Sequence, residues 1–396
     1  MPPIDSELQA LLEQGESGSV EFKTEDVRPE SLAREMVAFS NTLGGILLIG
    51  VQDDGGIQGV SNREAIDQRI INVARHNVVP AISPTVEWVD LNDQTLCLVR
   101  IPKGQAKPYQ TLDGKFLIRV GSTNRQATKE ELSRLFQASG LVHFDLSPVT
   151  GTSFQDLEPE ALHNYWFNSY QIDYARLDEA EQVTLLRNAD LLAAEEGVTV
   201  CSLGGLLLFG KQPQRRLPQS GIQFAVFDGT ELTDNLLDKK EITGTLPDLI
   251  ERSVAIIRLF LPQPSQISGL RREEEEQVSI RVLREILVNA VCHRDYSIAN
   301  RRIHISLFRD RLEVSSPGRL PNTLDLNKIR YGNSAPRNFL LLKFLDNLRY
   351  IDGLGRGIPM IIRELGEQIT FAEIGDIFRV SVRLTANQTP PLPKSI

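Results

Sequence analysis

The chain reads as an α+β protein in two parts, and three observations predict this. Apolar residues recur at helical intervals in several stretches, most clearly over 30–43 with Leu32, Met36, Val37, Phe39 and Leu43. Between such stretches lie short apolar or alternating runs, such as GGILLIGV (44–51) and IFRVSVRL (377–384), which read as strands. A Gly-, Ser-, Thr- and Pro-rich stretch at 140–156 divides an N-terminal block from the rest. The composition, 41% hydrophobic and 24% charged, is that of an ordinary globular protein, so both parts can bury a core.

In chain order, VEFK (20–23) places Val20 and Phe22 on one side of a strand and Glu21 and Lys23 on the other. The helix over 30–43 stops at Gly44 and Gly45, and a buried strand follows. QDDGG (52–56) is a turn, after which IQGV (57–60) resumes as a strand, so a hairpin is expected. Residues 63–79 read as a helix. TVEWVDL, QTLCLVRIP and GKFLIRVGS, between 85 and 122, read as three more strands. Thr128 and Glu131 form a capping box that opens a short helix and completes a domain over 1–139. Residues 140–200 are expected to be a linker and an acidic helical segment. The second domain is placed at 201–385, with GGLLLFG (204–210) and GIQFAVFDG (221–229) as strands and a helix at about 244–261. A break at 263–269 precedes a long charged-then-apolar helix over 272–296. A hairpin over 301–318 turns at 309–311. A helix near 336–347, a glycine cluster at 353–357 opening another helix, and the closing strand follow. Residues 386–396 read as a disordered Pro-rich tail.

The net charge of -9 counts against bulk electrostatic binding of nucleic acid. The distribution is uneven: residues 1–95 carry 6 basic and 16 acidic residues, whereas 96–134 carry 8 basic and 3 acidic. Such a basic strip can steer a phosphate backbone to one place, or it can be a solvated surface of mixed charge. Cys97, Cys201 and Cys292 lie far apart with no C-x-x-C pair or zinc spacing. The start of the chain has no leader pattern, so a cytoplasmic location is expected. No apolar run reaches the roughly 18 residues of a membrane span, and no membrane partner is expected.

Two groups of residues carry candidate chemistry. In the first, Glu16, Glu21 and Asp53 (with Asp54 as an alternative to Asp53) could converge if the strands of Glu21 and Asp53 are neighbours. Three hard oxygen ligands suit Mg²⁺ or Mn²⁺, which can activate water beside a phosphate. The plainer reading pairs Glu21 with Lys23 or an arginine and leaves Asp53, Asp54 and Gly55 as a turn. Lys23, Lys107, Tyr109, Arg119, Ser122, Asn124 and Arg125 supply cations, hydroxyls and one aromatic ring that suit a nucleic-acid backbone. Tyr109 can equally pack against the neighbouring hairpin. ESGSVEFK (16–23), MVAFSNTLGGILLIGVQDDGGIQGV (36–60) and KPYQTLDGKFLIRVGSTNRQAT (107–128) together resemble the Schlafen-type AlbA_2 domain. That resemblance implies nucleic-acid binding, and in some members metal-dependent RNA cleavage by an acidic triad.

In the second group, Glu285, Asn289 and His293 recur at intervals of four and share one helix face. A glutamate can position a water one turn before an asparagine oxygen that ligates Mg²⁺. Gly353, Gly355 and Gly357 precede a helix, where free amides cradle phosphate. ILVNAVCHRDYS, LEVSSPGRLP, NSAPRN and DGLGRGI resemble the histidine-kinase-type GHKL ATPase fold in the variant fused behind AlbA_2 domains. The resemblance implies an α/β sandwich, ATP and Mg²⁺ as ligands, Glu285 as base, Asn289 as metal ligand, and Gly318, Gly353, Gly355 and Gly357 at the nucleotide. It also implies a transcriptional-regulator role, a DNA or RNA partner and a homodimer. One departure stands out: where the family's D-x-G-x-G box reads adenine, this chain has SSPGRL (315–320), without an aspartate. A degenerate domain that only dimerises or senses is the alternative.

Overall fold

A computed structural model describes residues 4–140, 142–261, 265–268, 271–274, 277–321, 324–351 and 355–384. It divides into two units, Met1–Val142 and His143–Ile396. The first runs α1 (Ile4–Gln14), β1 (Val20–Lys23), α2 (Pro29–Asn41), β2 (Gly45–Ile49), α3 (Arg63–His76), β3 (Val78–Val79), β4 (Thr85–Leu91), β5 (Gln94–Ile101), β6 (Gln110–Thr111), β7 (Leu117–Val120), β8 (Thr123–Gln126) and α4 (Lys129–Ala138). Its main sheet has the order β1-β2-β5-β4, parallel at β1–β2 and antiparallel elsewhere. Leu47 and Ile49 of β2 pack with Leu32, Met36 and Phe39 of α2. Leu48, between them, packs with Leu8 of α1 and with Val20 and Phe22 of β1. The period-2 alternation of a strand therefore feeds two cores, which is why β2 is apolar on both faces.

The expected hairpin after β2 shrinks to one bridge, Val51 to Ile57. The amides of Gln58 and Gly59 both bond back to the Gly50 carbonyl, so the chain curls instead of extending. GKFLIRVGS runs into the β7–β8 hairpin, and the Thr128–Glu131 capping box opens α4.

The second unit continues with α5 (Pro159–Tyr170), α6 (Glu179–Asn188), β9 (Leu192–Glu195), β10 (Val198–Cys201), α7 (Leu203–Phe209), α8 (Pro213–Arg216), β11 (Ile222–Phe227), β12 (Leu236–Ile242) and α9 (Leu246–Phe260). Then come β13 (Ser265–Ser268), β14 (Arg271–Glu274), α10 (Ile280–Cys292), β15 (Ile303–Leu307), β16 (Arg311–Pro317), α11 (Leu326–Arg330), α12 (Phe339–Asn347), α13 (Gly357–Leu365), β17 (Ile369–Ile374) and β18 (Ile377–Arg383). Six strands form one sheet in the order β12-β11-β15-β16-β18-β17, with β11–β15 parallel and the rest antiparallel. Leu249 and Ile257 of α9 and Leu283 and Leu287 of α10 share its core with Ile305 and Val314, giving a helix layer on a sheet.

Three sequence expectations are corrected here. GGLLLFG lies in α7, not in a strand: Ser202 caps it by accepting from the Gly205 amide, and all seven residues of α7 are buried. A short run that is apolar all round shows neither period, so sequence alone could not separate the two. The helix expected from 272 begins at Ile280, where the Ser279 hydroxyl accepts from the Val282 amide, and the charged stretch before it includes β14, paired with β13. The second domain, placed at 201–385, also takes in the helical segment before it, because Leu157, Leu162, Tyr165, Trp166 and Leu186 lie in the same core as the sheet. The tail over 386–396 lies outside the described residues.

Candidate functional site

In the first unit, the charged residues singled out from the sequence satisfy one another. Glu21 points to the α2 side of β1, where both faces are covered, and is only 6% exposed. The Arg119 Nη2 lies 2.6 Å from the Glu21 Oε2, and Lys23 pairs with the other carboxylate oxygen. Arg119 also donates to the Ser17 and Val20 carbonyls, to Glu35 and to Asn124, and its guanidinium lies 5.0 Å from the centre of the Phe39 ring. Asn124 donates to Glu35 at 2.6 Å. Burial, and then the Glu21 charge, hold the Glu35 carboxyl above the usual carboxylate range.

This network decides several expectations. Glu16 accepts from the Phe22 amide at 3.1 Å, and Asp53 is exposed on the turn after β2. Among the described residues, no three His, Cys, Asp or Glu side chains converge to hold a metal. Glu16, Glu21 and Asp53 are therefore not brought together as a triad, because the buried Glu21 charge is matched by Arg119 rather than by a cation from solution. Lys107 is buried and donates to the Thr42 carbonyl at 2.7 Å. Tyr109 is 5% exposed, takes the Asn41 carboxamide oxygen on its amide and accepts from the Ala106 amide on its hydroxyl. Neither side chain stands on a surface where a base or phosphate could reach it, and Arg119 is enclosed as well. Ser122 and Arg125 remain exposed on the β7–β8 hairpin. Arg125 is held in a two-pronged pair with Glu131, whose carboxyl is pulled down to about 2 by that hydrogen bonding.

In the second unit, the chosen residues surround open space. Glu285, Asn289, His293, Gly318, Gly355 and Gly357 all line one cavity of about 140 Å³. Gly353 lies outside the described residues. α10 puts Glu285, Asn289 and His293 on one face because its other faces, with Leu283, Leu287 and Val291, are buried in the core. The Asn289 Nδ2 donates to the Glu285 Oε1 at 2.7 Å and to the Glu285 carbonyl at 2.9 Å. Gly357 opens α13 directly against that carboxylate: a Cβ there would fall 1.7 Å from the Glu285 Oε1. The rest of the wall is mostly apolar, with Ile286, Val314, Leu324, Ile329, Phe378 and Val380. Burial, helped by Arg337, pushes the His293 imidazole down to about 4, so the ring is neutral near pH 7.

Residues that the sequence reading missed hold this pocket in shape. Arg337 stands against Gly318, a residue already chosen from the sequence: Gly318 has φ +118, and a Cβ there would meet the Arg337 Nη1 at 2.2 Å. Arg337 is buried, pairs with Asp295 at 3.4 Å and donates to the Arg319 carbonyl. Asn338 donates to the Cys292 and Arg294 carbonyls at the end of α10. Asp145, fully buried, accepts from the Leu340 and Leu341 amides at the start of α12. The adjacent R-N pair within NSAPRN carried a signal, since a buried loop needs side-chain partners for its own and its neighbours' backbone. Asp145 carried none, because its partners lie almost two hundred residues away.

Residues 16–128 match the family model described as "Schlafen, AlbA_2", and residues 300–382 match the one described as "Putative ATP-dependent DNA helicase recG C-terminal". The second match begins after α10, so it does not include Glu285 or Asn289. Nothing among curated proteins matches the chain. Among solved structures, the DIP2311 protein from Corynebacterium diphtheriae is 20% identical, with 96% of this chain and 80% of that one covered and a TM-score of 0.48. The solution structure of the N-terminal domain of "Putative ATP-dependent DNA Helicase RecG-related Protein" from Nitrosomonas europaea is 22% identical, covering 30% of this chain and 92% of that one, with a TM-score of 0.24. No helix among the described residues is long and apolar enough to cross a membrane.

Proposed function

From a chain that joins a Schlafen AlbA_2 domain to an ATPase-type domain of the recG C-terminal kind, we propose a nucleic-acid-associated regulator whose second unit binds a nucleotide in the α10 pocket. The observation that supports this best is the gathering of Glu285, Asn289, Gly318, Gly355 and Gly357 around one cavity. These residues come from three separate stretches of the chain, around 285–289, 318 and 355–357, each chosen from the sequence for nucleotide chemistry.

The pocket's chemistry fits ATP with Mg²⁺ or Mn²⁺. Asn289 spends its amide hydrogens on Glu285, which leaves its Oδ1 as the oxygen that a hard cation takes. Glu285 stands one turn away as the group that would orient water. The apolar wall suits a flat heterocycle. A bound metal would supply charge neutralisation at the phosphates. Nucleic-acid association rests on the AlbA_2 domain, with Ser122 and Arg125 as its exposed candidates. A role in transcription and a homodimer are further parts of the same proposal.

Titration calorimetry of the full chain with ATP and Mg²⁺ tests the reading. Saturable binding is expected, weakened about tenfold in Asn289→Ala through loss of one charge-assisted metal contact. Absence of heat and of any ligand-dependent rise in melting temperature would remove the nucleotide from the proposal.

A further inference from the structure

Away from the pocket, the second unit exposes an aromatic face on α5. His163, Phe167 and Tyr170 stand at i, i+4 and i+7 and so share one side of that helix. Phe167 and Tyr170 are each 47% exposed. Both are braced: Phe167 stacks on His163 with ring centres 5.8 Å apart, and Tyr170 packs on the buried Trp166 at 5.3 Å. The Asn347 Nδ2 donates to the oxygens of both Tyr165 and Tyr170. At most one of the two hydroxyl hydrogens is then used between the phenols, and at least one is left to give. Braced, exposed rings beside a phenol donor suit a chain with apolar edges and free carbonyls, which is what proline-rich sequence presents. The charge counts against a polyanion here: residues 157–197, which carry this face, hold nine acidic and two basic residues.

The chain itself carries such a stretch. Residues 385–396, TANQTPPLPKSI, lie outside the described residues; they hold Pro390, Pro391, Pro393 and Lys394, and no acid. Strand directions decide which copy supplies it. β18 is antiparallel to β16, β16 is antiparallel to β15, and β15 is parallel to β11, so Leu384 leaves the sheet at the end where β11 finishes. α5 lies toward the other end. Leu157 bridges Gly210 and Tyr165 packs on Phe209 at the close of α7, and Gln214 then binds Ser220 just before β11 begins. From Leu384 to Pro390 the extended chain spans at most about 21 Å, less than the roughly 23 Å of seven-residue β18 that it would have to retrace. We propose that the α5 face docks the proline-rich stretch 390–393 of a second copy, with Lys394 among the acidic residues around it. Exchange of the two stretches makes the contact reciprocal. This deepens the homodimer part of the function proposed above and rests on it.

The test is sedimentation equilibrium of the full chain. The wild type is expected to self-associate. Phe167→Ala, and separately a Pro390→Ala/Pro391→Ala/Pro393→Ala variant, should each weaken that association at least about tenfold. An equimolar mixture of the two variants should regain part of it, because one copy keeps the face and the other keeps the prolines. Loss in only one of the two variants overturns the pairing of this face with this stretch, as does a mixture that regains nothing. Association unchanged in both overturns the docking site and leaves the homodimer standing. A wild type that stays monomeric removes the homodimer, and this inference falls with it. Should Phe167→Ala fail to fold, judged by its melting temperature, the proline variant decides alone.

Discussion

The Arg119 network of the first unit and the α10 pocket of the second both place a glutamate beside an amide-bearing or cationic partner, buried in the first and half-buried in the second, yet one closes and the other stays open. Around Arg119, two carboxylates meet two cations and the carbonyls of the Ser17–Val20 turn, and the guanidinium side chain is left 1% exposed. Beside α10, the Glu285 carboxylate meets a neutral carboxamide and a glycine with no Cβ, next to a cavity of about 140 Å³. Charges buried in low dielectric must be matched on the spot, so opposite charges brought together there fill the space between them. Neutral partners and glycines impose no such closure. Residues that look functional because they are charged are therefore the ones most readily spent on structure.

Removing Arg119 gives the largest expected effect. Arg119→Met leaves the Glu21 and Glu35 carboxylates buried without their main cation and should destabilise the first unit by about 3–5 kcal/mol. Scanning calorimetry should show that loss while nucleotide binding to the second unit is unchanged. Adding Glu21→Gln and Glu35→Gln to the same chain should restore part of the stability, because no uncompensated charge then remains. A loss below about 1 kcal/mol for Arg119→Met would place the network with ordinary surface pairs and break the contrast.

The pocket predicts the opposite pattern. Gly357→Ala puts a methyl group where the Glu285 Oε1 now sits, so the carboxylate must leave Asn289. The clash falls on the far end of a flexible side chain that can turn aside, so the melting temperature should hardly move. Nucleotide affinity should fall about tenfold as the Glu285–Asn289 pair is broken. A folded Gly357→Ala with wild-type affinity would show that the pair does not face the ligand.

The sequence carried some of this and could not carry the rest. The spacing of Glu285, Asn289 and His293 alone places them on one helix face, since helical geometry is local. β15, β16 and the Thr128–Glu131 capping box were legible for the same reason. The enclosure of Glu21, Lys107 and Arg119 was not, and for Tyr109 the sequence left packing and base stacking open together. Alternation shows that Glu21 leaves the strand opposite Val20 and Phe22, but not that α2 and β7 cover that face. The plainer reading of Glu21, paired with Lys23 or an arginine, named the right chemistry without naming which arginine.

The smallest effect sharpens the contrast through pH. Glu35 faces Glu21, Lys23, Arg119 and Asn124, and burial together with the Glu21 charge raises its carboxyl above the ordinary value of 4.5. The folded chain then holds that proton more tightly than the unfolded chain. Glu35 therefore favours folding most below about pH 4.5, and this contribution is lost as pH rises through its folded value. Glutamine keeps an oxygen for the Asn124 amide and carries no charge to bury. Relative to the wild type, Glu35→Gln should gain stability steadily as pH is raised from about 4.5 toward neutrality, measured as the difference in first-unit melting temperature. A difference that shrinks over that range would mean that Arg119 compensates Glu35 fully, making it a two-carboxylate cage with no residual strain. The closed network would then be as well matched as any surface pair, and its burial alone, not its charge balance, would separate it from the pocket.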